Sequence, residues 1–268
     1  MHSRQQRLLP RMFRSFQKTW KIFFSGQTFR PQLPTLSPRH MPPARFKQIS
    51  IQTFTTNQPR TMSTTREPFL IRFFDPTTAS PDLRGRTLTT ILSWSDTDLE
   101  RSHDYIQTVF PLPEGSMFQD AQLITPNIRN AFLSQPELRA SLHTAFERML
   151  AFYGLQFSHR QTEREDGTTD SVQEVTRGPN FDSNSRNWVT RFNHNHLRLT
   201  RILRSLRLLG LGEDAAALHE FLANDEDVMS RVSPRSQMYW RRAAERPLHL
   251  SPDEDDDDAE GIEWLRET

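Results

Sequence analysis

An all-α fold, a single irregular domain of about six to eight helices, is what this sequence predicts. Two observations carry the prediction. From Glu67 onward apolar residues recur at three- and four-residue steps, and Ser, Thr, Pro and Gly punctuate those runs where helices start and stop. A chain of 268 residues with 35% apolar content also supplies one core rather than two, and no internal repeat is visible.

The helical domain is expected at 67–246, between a leader at 1–66 and an acidic tail at 247–268. The leader holds 12 of the 34 Lys and Arg residues, including all three lysines (Lys18, Lys21, Lys47), and none of the 33 acidic residues, which leaves the rest at −11. Within it Phe13, Phe16, Trp20, Phe23 and Phe24 recur at helical steps, with Arg14, Lys18 and Lys21 mostly opposite, a basic amphipathic pattern. Pro31, Pro34, Pro38, Pro42 and Pro43 then exclude a continuing helix, and this stretch is expected to be disordered. Three readings are open. The leader is a mitochondrial transit peptide; or it is an untranslated upstream segment with Met62 as initiator, placing the protein in the cytoplasm or at the nucleus; or it is a basic arm for nucleic acid or a lipid surface.

Along the domain, Thr87 caps a short helix through Leu88, Ile91 and Leu92. Ser95 caps the next, with Asp96 and Asp98 at its positive end. Leu99, His103, Ile106 and Phe110 then share one face of a single helix that Pro111-Leu112-Pro113 ends. Thr125 before Pro126 and Gln135 before Pro136 open two more, because proline at the first helical position lacks only an amide that would be unbonded. The second carries Leu138, Leu142, Ala145, Phe146, Met149, Leu150 and Phe152 and stops at Gly154. Residues 158–185 have only Val172, Val175 and Phe181 as apolar anchors and are expected to be a long, disordered loop. A central helix is expected from Trp188 and Phe192 through Leu199, Ile202, Leu203, Leu206 and Leu209 to Gly210, with His194 or Asn195 as a cap. Helices from Asp214 through Leu222 and from Pro234 past Trp240 follow, and the run from Asp253 to Asp258 is expected to stay solvated.

The catalytic menu is short. Without cysteine there is no thiolate nucleophile, thiolate metal site or disulfide framework. No apolar run approaches the roughly 20 residues of a membrane span, so membrane contact is expected to be peripheral. Gly210-Leu211-Gly212 ends a helix instead of opening one after a strand, which rejects a phosphate cradle. His194 and His196 point about 200° apart on a helix and do not ligate one metal unless the helix starts between them. No Gly-Xaa-Ser-Xaa-Gly elbow is present, and Asp98 and Glu100 lie on different faces. The expectation is a non-catalytic protein without metal or cofactor. Arg191 precedes Arg198, Arg201, Arg204 and Arg207, a basic surface that would suit nucleic acid, although steps of three spread it over half the helix circumference.

The run from Trp94 to Pro113, Trp-Ser-Asp-Thr-Asp-Leu-Glu-Arg-Ser-His-Asp-Tyr-Ile-Gln-Thr-Val-Phe-Pro-Leu-Pro, resembles the opening signature of the opioid growth factor receptor conserved domain. Met149 to Gly154 is similar to the end of that family's middle helix, His194 to Leu206 to its second signature, and Tyr239-Trp240 to its closing aromatic pair. The resemblance spans roughly 70 to 243. It implies an all-helical, receptor-like module, described in animal members as binding the pentapeptide Met-enkephalin and restraining cell growth around the nucleus. Animal members carry long C-terminal extensions whereas this sequence ends soon after Trp240, which implies a short, fungal-type member.

The residues to which these signatures point are Trp94, His103, Tyr105, Gln107, Phe110, Tyr153, Trp188, His194, Asn195 and His196. Two readings are open for them. They form a structural polar core, in which buried polar atoms find partners, or they line a groove for a peptide or protein segment with Pro111 and Leu112.

Overall fold

The computed structural model describes residues 67–115, 122–163 and 169–266, so the leader and its amphipathic pattern lie outside the described residues. Among these, eleven α-helices accompany one two-stranded antiparallel sheet. Helices α1 (Phe69–Phe74), α2 (Leu88–Leu92), α3 (Asp96–Arg101), α4 (Tyr105–Val109) and α5 (Pro126–Ser134) lead into the long α6 (Pro136–Tyr153). Strands β1 (Leu155–Glu163) and β2 (Thr169–Arg177) follow, then α7 (Phe181–Asn184) and a 3-10 turn at Ser185–Asn187. The chain continues through α8 (Asn195–Leu208), α9 (Gly212–Asn224), α10 (Glu226–Arg231) and α11 (Pro234–Glu245).

Two helical groups result. In the first, α1, α2 and α5 pack around α6; in the second, α9 and α11 pack on α8, and α10 on α9. The hairpin joins them, since β1 lies on α6 and β2 on α9. One continuous apolar cluster runs through both groups, from Leu70 and Phe73 to Leu206 and Trp240.

The starts of these helices follow from local chemistry. Thr87, Ser95 and Thr125 each accept a hydrogen bond from the amide three residues on, at Thr90, Asp98 and Ile128. Ser233 and Asp225 cap α11 and α10 in the same way, by Ser236 and Val228. At the end of α6, Gly154 adopts φ +78°, and a Cβ there would lie 2.7 Å from Phe181 Cα. Glycine is required twice over, for the left-handed exit and for the close approach.

Four expectations are corrected. The segment 158–185 is not a disordered loop: it holds most of both strands, registered from Leu155 opposite Arg177 to Glu163 opposite Thr169. Leu155 and Val175 are buried and Phe157 packs against His143 and Phe146, so a few inward residues near the base anchor the hairpin while backbone pairing extends it. The single helix expected from Asp96 to Phe110 is broken into α3 and α4, because the carbonyls of Glu100 and Ser102 are taken by the Arg198 guanidinium at 3.3 and 2.8 Å. The central helix begins at Asn195, not Trp188; His194 stands at its N-cap position without a side-chain capping bond, and Asn193 Oδ1 instead accepts from the Asn195 amide at 2.9 Å. Phe192, expected on its apolar face, is 57% exposed. Finally, the acidic C-terminal segment is solvated over 255–258, as expected, but it is tied to the fold and not detached. Arg242 reaches Asp255 at 3.1 Å, Arg246 pairs with Asp257, the Ile262 amide bonds His249 O, and Leu265 is buried.

Candidate functional site

Seven of the ten signature residues are interior. Tyr105, Gln107, Phe110, Tyr153, Trp188, Asn195 and His196 are each no more than 3% exposed, whereas Trp94, His103 and His194 are partly exposed. The α6 exit and the turn before α8 bring the aromatic members together. Trp188 Nε1 donates to Tyr153 O at 3.0 Å, and the two rings meet edge to face at 5.6 Å. His196 Nε2 donates to Trp188 O at 2.8 Å, which leaves Nδ1 to accept from Ser236 Oγ at 2.9 Å and fixes the neutral tautomer. Burial pushes this imidazole below its ordinary value. Tyr105 donates to Met149 Sδ at 3.6 Å, and burial raises its phenol to about 12. The Tyr153 hydroxyl is buried with no hydrogen-bond partner among the described residues, and burial raises it well above the ordinary phenol value.

The second half of the constellation is ionic. Glu100 accepts from Asn195 Nδ2 at 3.1 Å and lies 3.2 Å from His194 Nε2 and 3.6 Å from Arg198 Nη1. These partners outweigh burial and hold its carboxyl below the usual range. Asn195 Oδ1 accepts from Arg198 Nη1 at 3.1 Å, and Arg198 Nη2 approaches His103 Nδ1 at 3.3 Å. The His103 and His194 rings meet edge to face at 5.4 Å, and burial, Arg198 and His194 lower the His103 imidazole. The Gln107 amide, oriented by the two carbonyls beside it, donates to His103 O at 3.1 Å and Asp104 O at 2.8 Å. Trp94 sits against Tyr105 at 5.7 Å and beneath the Arg86 guanidinium at 5.6 Å.

The expected basic surface is not a surface. Arg198, Arg201 and Arg204 are 5%, 8% and 1% exposed, and Arg207 is half-buried. Arg201 Nη1 donates to Phe110 O at 3.1 Å, Arg204 pairs with Glu114, and Arg207 Nη1 donates to Ala243 O and Arg246 O at 3.0 and 2.8 Å. Guanidiniums used up inside the fold present no array to phosphates. Phe110, Pro111, Leu112, Tyr153 and Trp188 are all buried, so among the described residues they pack in the core and do not line an open groove.

Among the described residues an open concavity lies elsewhere. A groove of about 550 Å³ runs between α1, the turn at 80–86 and α4, lined among others by Phe69, Arg72, Leu83, Arg84, Asp104 and Thr108. Its floor is rigid. Asp82 Oδ1 accepts from the amides of Arg84 and Arg86, both at 2.9 Å, and its Oδ2 from Arg86 Nε at 2.7 Å. Arg86 also grips Asp104 through both terminal nitrogens, at 3.2 and 2.9 Å, while Arg84 reaches Asp104 at 3.0 Å. Leu83 stands 76% exposed on the rim. Sequence reasoning passed over this turn; the Pro81-Asp82-Leu83-Arg84-Gly85 run, with its Asx-type aspartate, was the signal available. A second, much smaller cavity of about 20 Å³ is lined by His103, Ile106, Gln107, His194, Leu197, Arg198 and Arg201, so Gln107 borders both. Among the described residues no three His, Asp or Glu side chains gather as a metal would require, and no helix is long and apolar enough to cross a membrane.

Residues 72–240 match the model of the family described as "Opioid growth factor receptor (OGFr) conserved region". The chain is 37% identical over 142 residues to the opioid growth factor receptor of Mus musculus, covering 52% of this chain and 21% of that protein. It is 37% identical over 144 residues to the Homo sapiens protein of the same name, covering 53% and 20% respectively. Opioid growth factor receptor-like protein 1 of Mus musculus is 31% identical over 135 residues, covering 50% of this chain and 26% of that relative. The chain thus spans about a fifth to a quarter of the curated relatives it matches. No solved structure matches. With the matched region covering both signatures and the helices that hold them, the chain belongs to the opioid growth factor receptor conserved-region family.

Proposed function

We propose that this chain is a receptor-like, non-catalytic binding module that takes a peptide or protein segment into the groove between α1, the 80–86 turn and α4. The observation that carries the reading is the groove itself. Its volume of about 550 Å³ falls within the rough 300–1,000 Å³ range of small-ligand sites. Apolar Phe69 and exposed Leu83 flank charges that Asp82, Arg86 and Asp104 already hold in place, so binding would spend little free energy on ordering them. The relatives' printed name, opioid growth factor receptor, supports a peptide as the first ligand to test. Growth regulation, from the cytoplasm, nucleus or a membrane periphery, is the setting that this reading implies.

The test is a calorimetric titration of Met-enkephalin, with a scrambled peptide as control, into the full chain and its Leu83→Asp variant. Saturable, sequence-selective heat that the variant loses is expected. Absence of saturable heat, or equal heat from both chains, overturns the reading. Because Leu83 is 76% exposed, the variant should retain the wild-type unfolding temperature.

A further inference from the structure

We infer that the small cavity between the His103–Gln107 turn and α8 is a binding site for a single carboxylate, with Arg201 as its principal donor. Charge placement is the first argument. The other guanidiniums nearby are matched: Glu100 lies 3.6 Å from Arg198, and Glu114 pairs with Arg204. Arg201 differs. It is 8% exposed, donates once, to Phe110 O, and has no carboxylate within ion-pair distance among the described residues. A guanidinium carries five N–H donors, and a buried cation with no counter-charge in contact, the attraction of Glu114 reaching it only from beyond ion-pair distance, is held at a substantial desolvation penalty. That penalty is visible in Arg201 itself, whose pKa burial lowers to about 10.

Shape is the second argument. The cavity, about 20 Å³, exceeds the roughly 10–15 Å³ that admits one water-sized group and is too small to take in a whole anion, so one oxygen enters and the rest of the group stays outside. Ile106 and Leu197 give it apolar walls, while His103, His194, Gln107 and Arg198 complete a lining with no acidic member. An anion with one inserted oxygen fits that description, and a carboxylate presents such an oxygen to a guanidinium with favourable geometry. Gln107 borders this cavity and the larger groove alike. Assigning the carboxylate to the terminus of a bound peptide therefore rests on the binding-module reading, whereas the anion site does not.

The experiment uses the full chain with 13C-labelled histidine, titrated with sodium acetate while sodium sulfate holds the ionic strength constant. Ring signals of His103 and His194 should shift saturably with acetate. The apparent affinity should fall at least tenfold in Arg201→Gln and stay within about threefold in Arg201→Lys. Leu197→Phe, which fills the cavity from a half-buried position and leaves Arg201 in place, should abolish saturation. A linear drift, or the same saturation in Arg201→Gln and Leu197→Phe, overturns the site. Peptide arms separate the sources of carboxylate: acetate should compete with free-acid Met-enkephalin and not with its C-terminal amide. Competition with neither overturns the peptide-terminus assignment and leaves a site for free carboxylates. Acetate saturation without any peptide binding sinks the binding-module reading alone.

Discussion

The main-chain carbonyl of His196 accepts the indole N–H of Trp240 at 3.0 Å, and the two side-chain rings meet edge to face with centroids 5.3 Å apart. This relationship ties α8 to α11 at a point where the His196 imidazole already bridges Trp188 and Ser236. Replacing His196 by Ala leaves the Trp188 carbonyl and the Ser236 hydroxyl without their partner inside the core. The expected loss is about 2–4 kcal/mol, combining a cavity with buried unpaired groups. Chemical denaturation of wild type and His196→Ala measures it, and an unchanged midpoint would deny this residue its structural role.

Opposing histidines give the stability a readable pH profile. Burial lowers the imidazoles of His103, His196 and His219, so between their folded values and about 6.5 the unfolded chain binds more protons. Their contribution is complete above about pH 6.5 and is lost as pH falls below it. His143 runs the other way: its 2.6 Å hydrogen bond to buried Asp214 raises it, so its contribution is complete below about pH 6.5 and is lost as pH rises through the raised value. In Asp214→Asn that counterweight disappears. The fall in unfolding temperature from pH 7 to pH 5 should therefore be steeper in the variant, and parallel profiles would contradict the assignment.

Gly154 and Gly85 make a matched comparison, since both have φ near +78°. A Cβ at Gly85 meets nothing within 4 Å, whereas at Gly154 it meets Phe181 Cα at 2.7 Å. Gly85→Ala should show only the left-handed backbone penalty of about 1–2 kcal/mol. Gly154→Ala should add the displacement of α7 and lose clearly more. Urea melts of the two variants give the difference directly; equal losses would mean that the hairpin base yields freely.

Arginine variants should separate buried from exposed ion pairs. Arg204 is 1% exposed and pairs with Glu114, whose Oε2 is buried without another partner. Arg204→Met strands that carboxylate and should lose about 3–5 kcal/mol, much of it recovered when Glu114 is changed to Gln as well. Arg242 pairs with Asp255, whose side chain is 88% exposed. Arg242→Ala should lose less than about 1 kcal/mol from this pair, and salt should erase the difference. A double-mutant cycle at low and high ionic strength distinguishes the two cases.

Much of the helical fold was legible because its signals are local. Ser95, Thr125, Pro136 and Gly154 set helix ends through bonds or dihedrals confined to a few neighbours. The hairpin was illegible because its inner side rests on Leu155, Phe157 and Val175 while half of its described side chains are exposed, a composition that resembles disorder. The break between α3 and α4 was illegible for another reason: it depends on Arg198, almost a hundred residues away in sequence. The same distance dependence misled the reading of the arginines, since their spacing is that of a solvated face and only the packed fold shows their carbonyl partners. For the signature residues, the sequence identified which side chains gather and left a buried polar core and a groove open as alternatives; the fold buries most of them. The groove at Leu83 carried no periodic signal at all.

The guanidiniums of α8 bind largely main-chain oxygens: Ser102 for Arg198, Phe110 for Arg201, Leu248 for Arg204, and Ala243 with Arg246 for Arg207. Carbonyls have no titratable proton in the accessible range, and these arginines stay charged throughout acid and neutral conditions. Acid reaches this central clasp only at Glu100 beside Arg198 and at Glu114 on Arg204, where the main-chain bonds remain, whereas peripheral joints such as Arg177 with Asp225 and Asp227 rest on carboxylates alone. Disassembly on acidification is expected to proceed from the rim inward, with α8 and the strand of chain from 100 to 110 parting last.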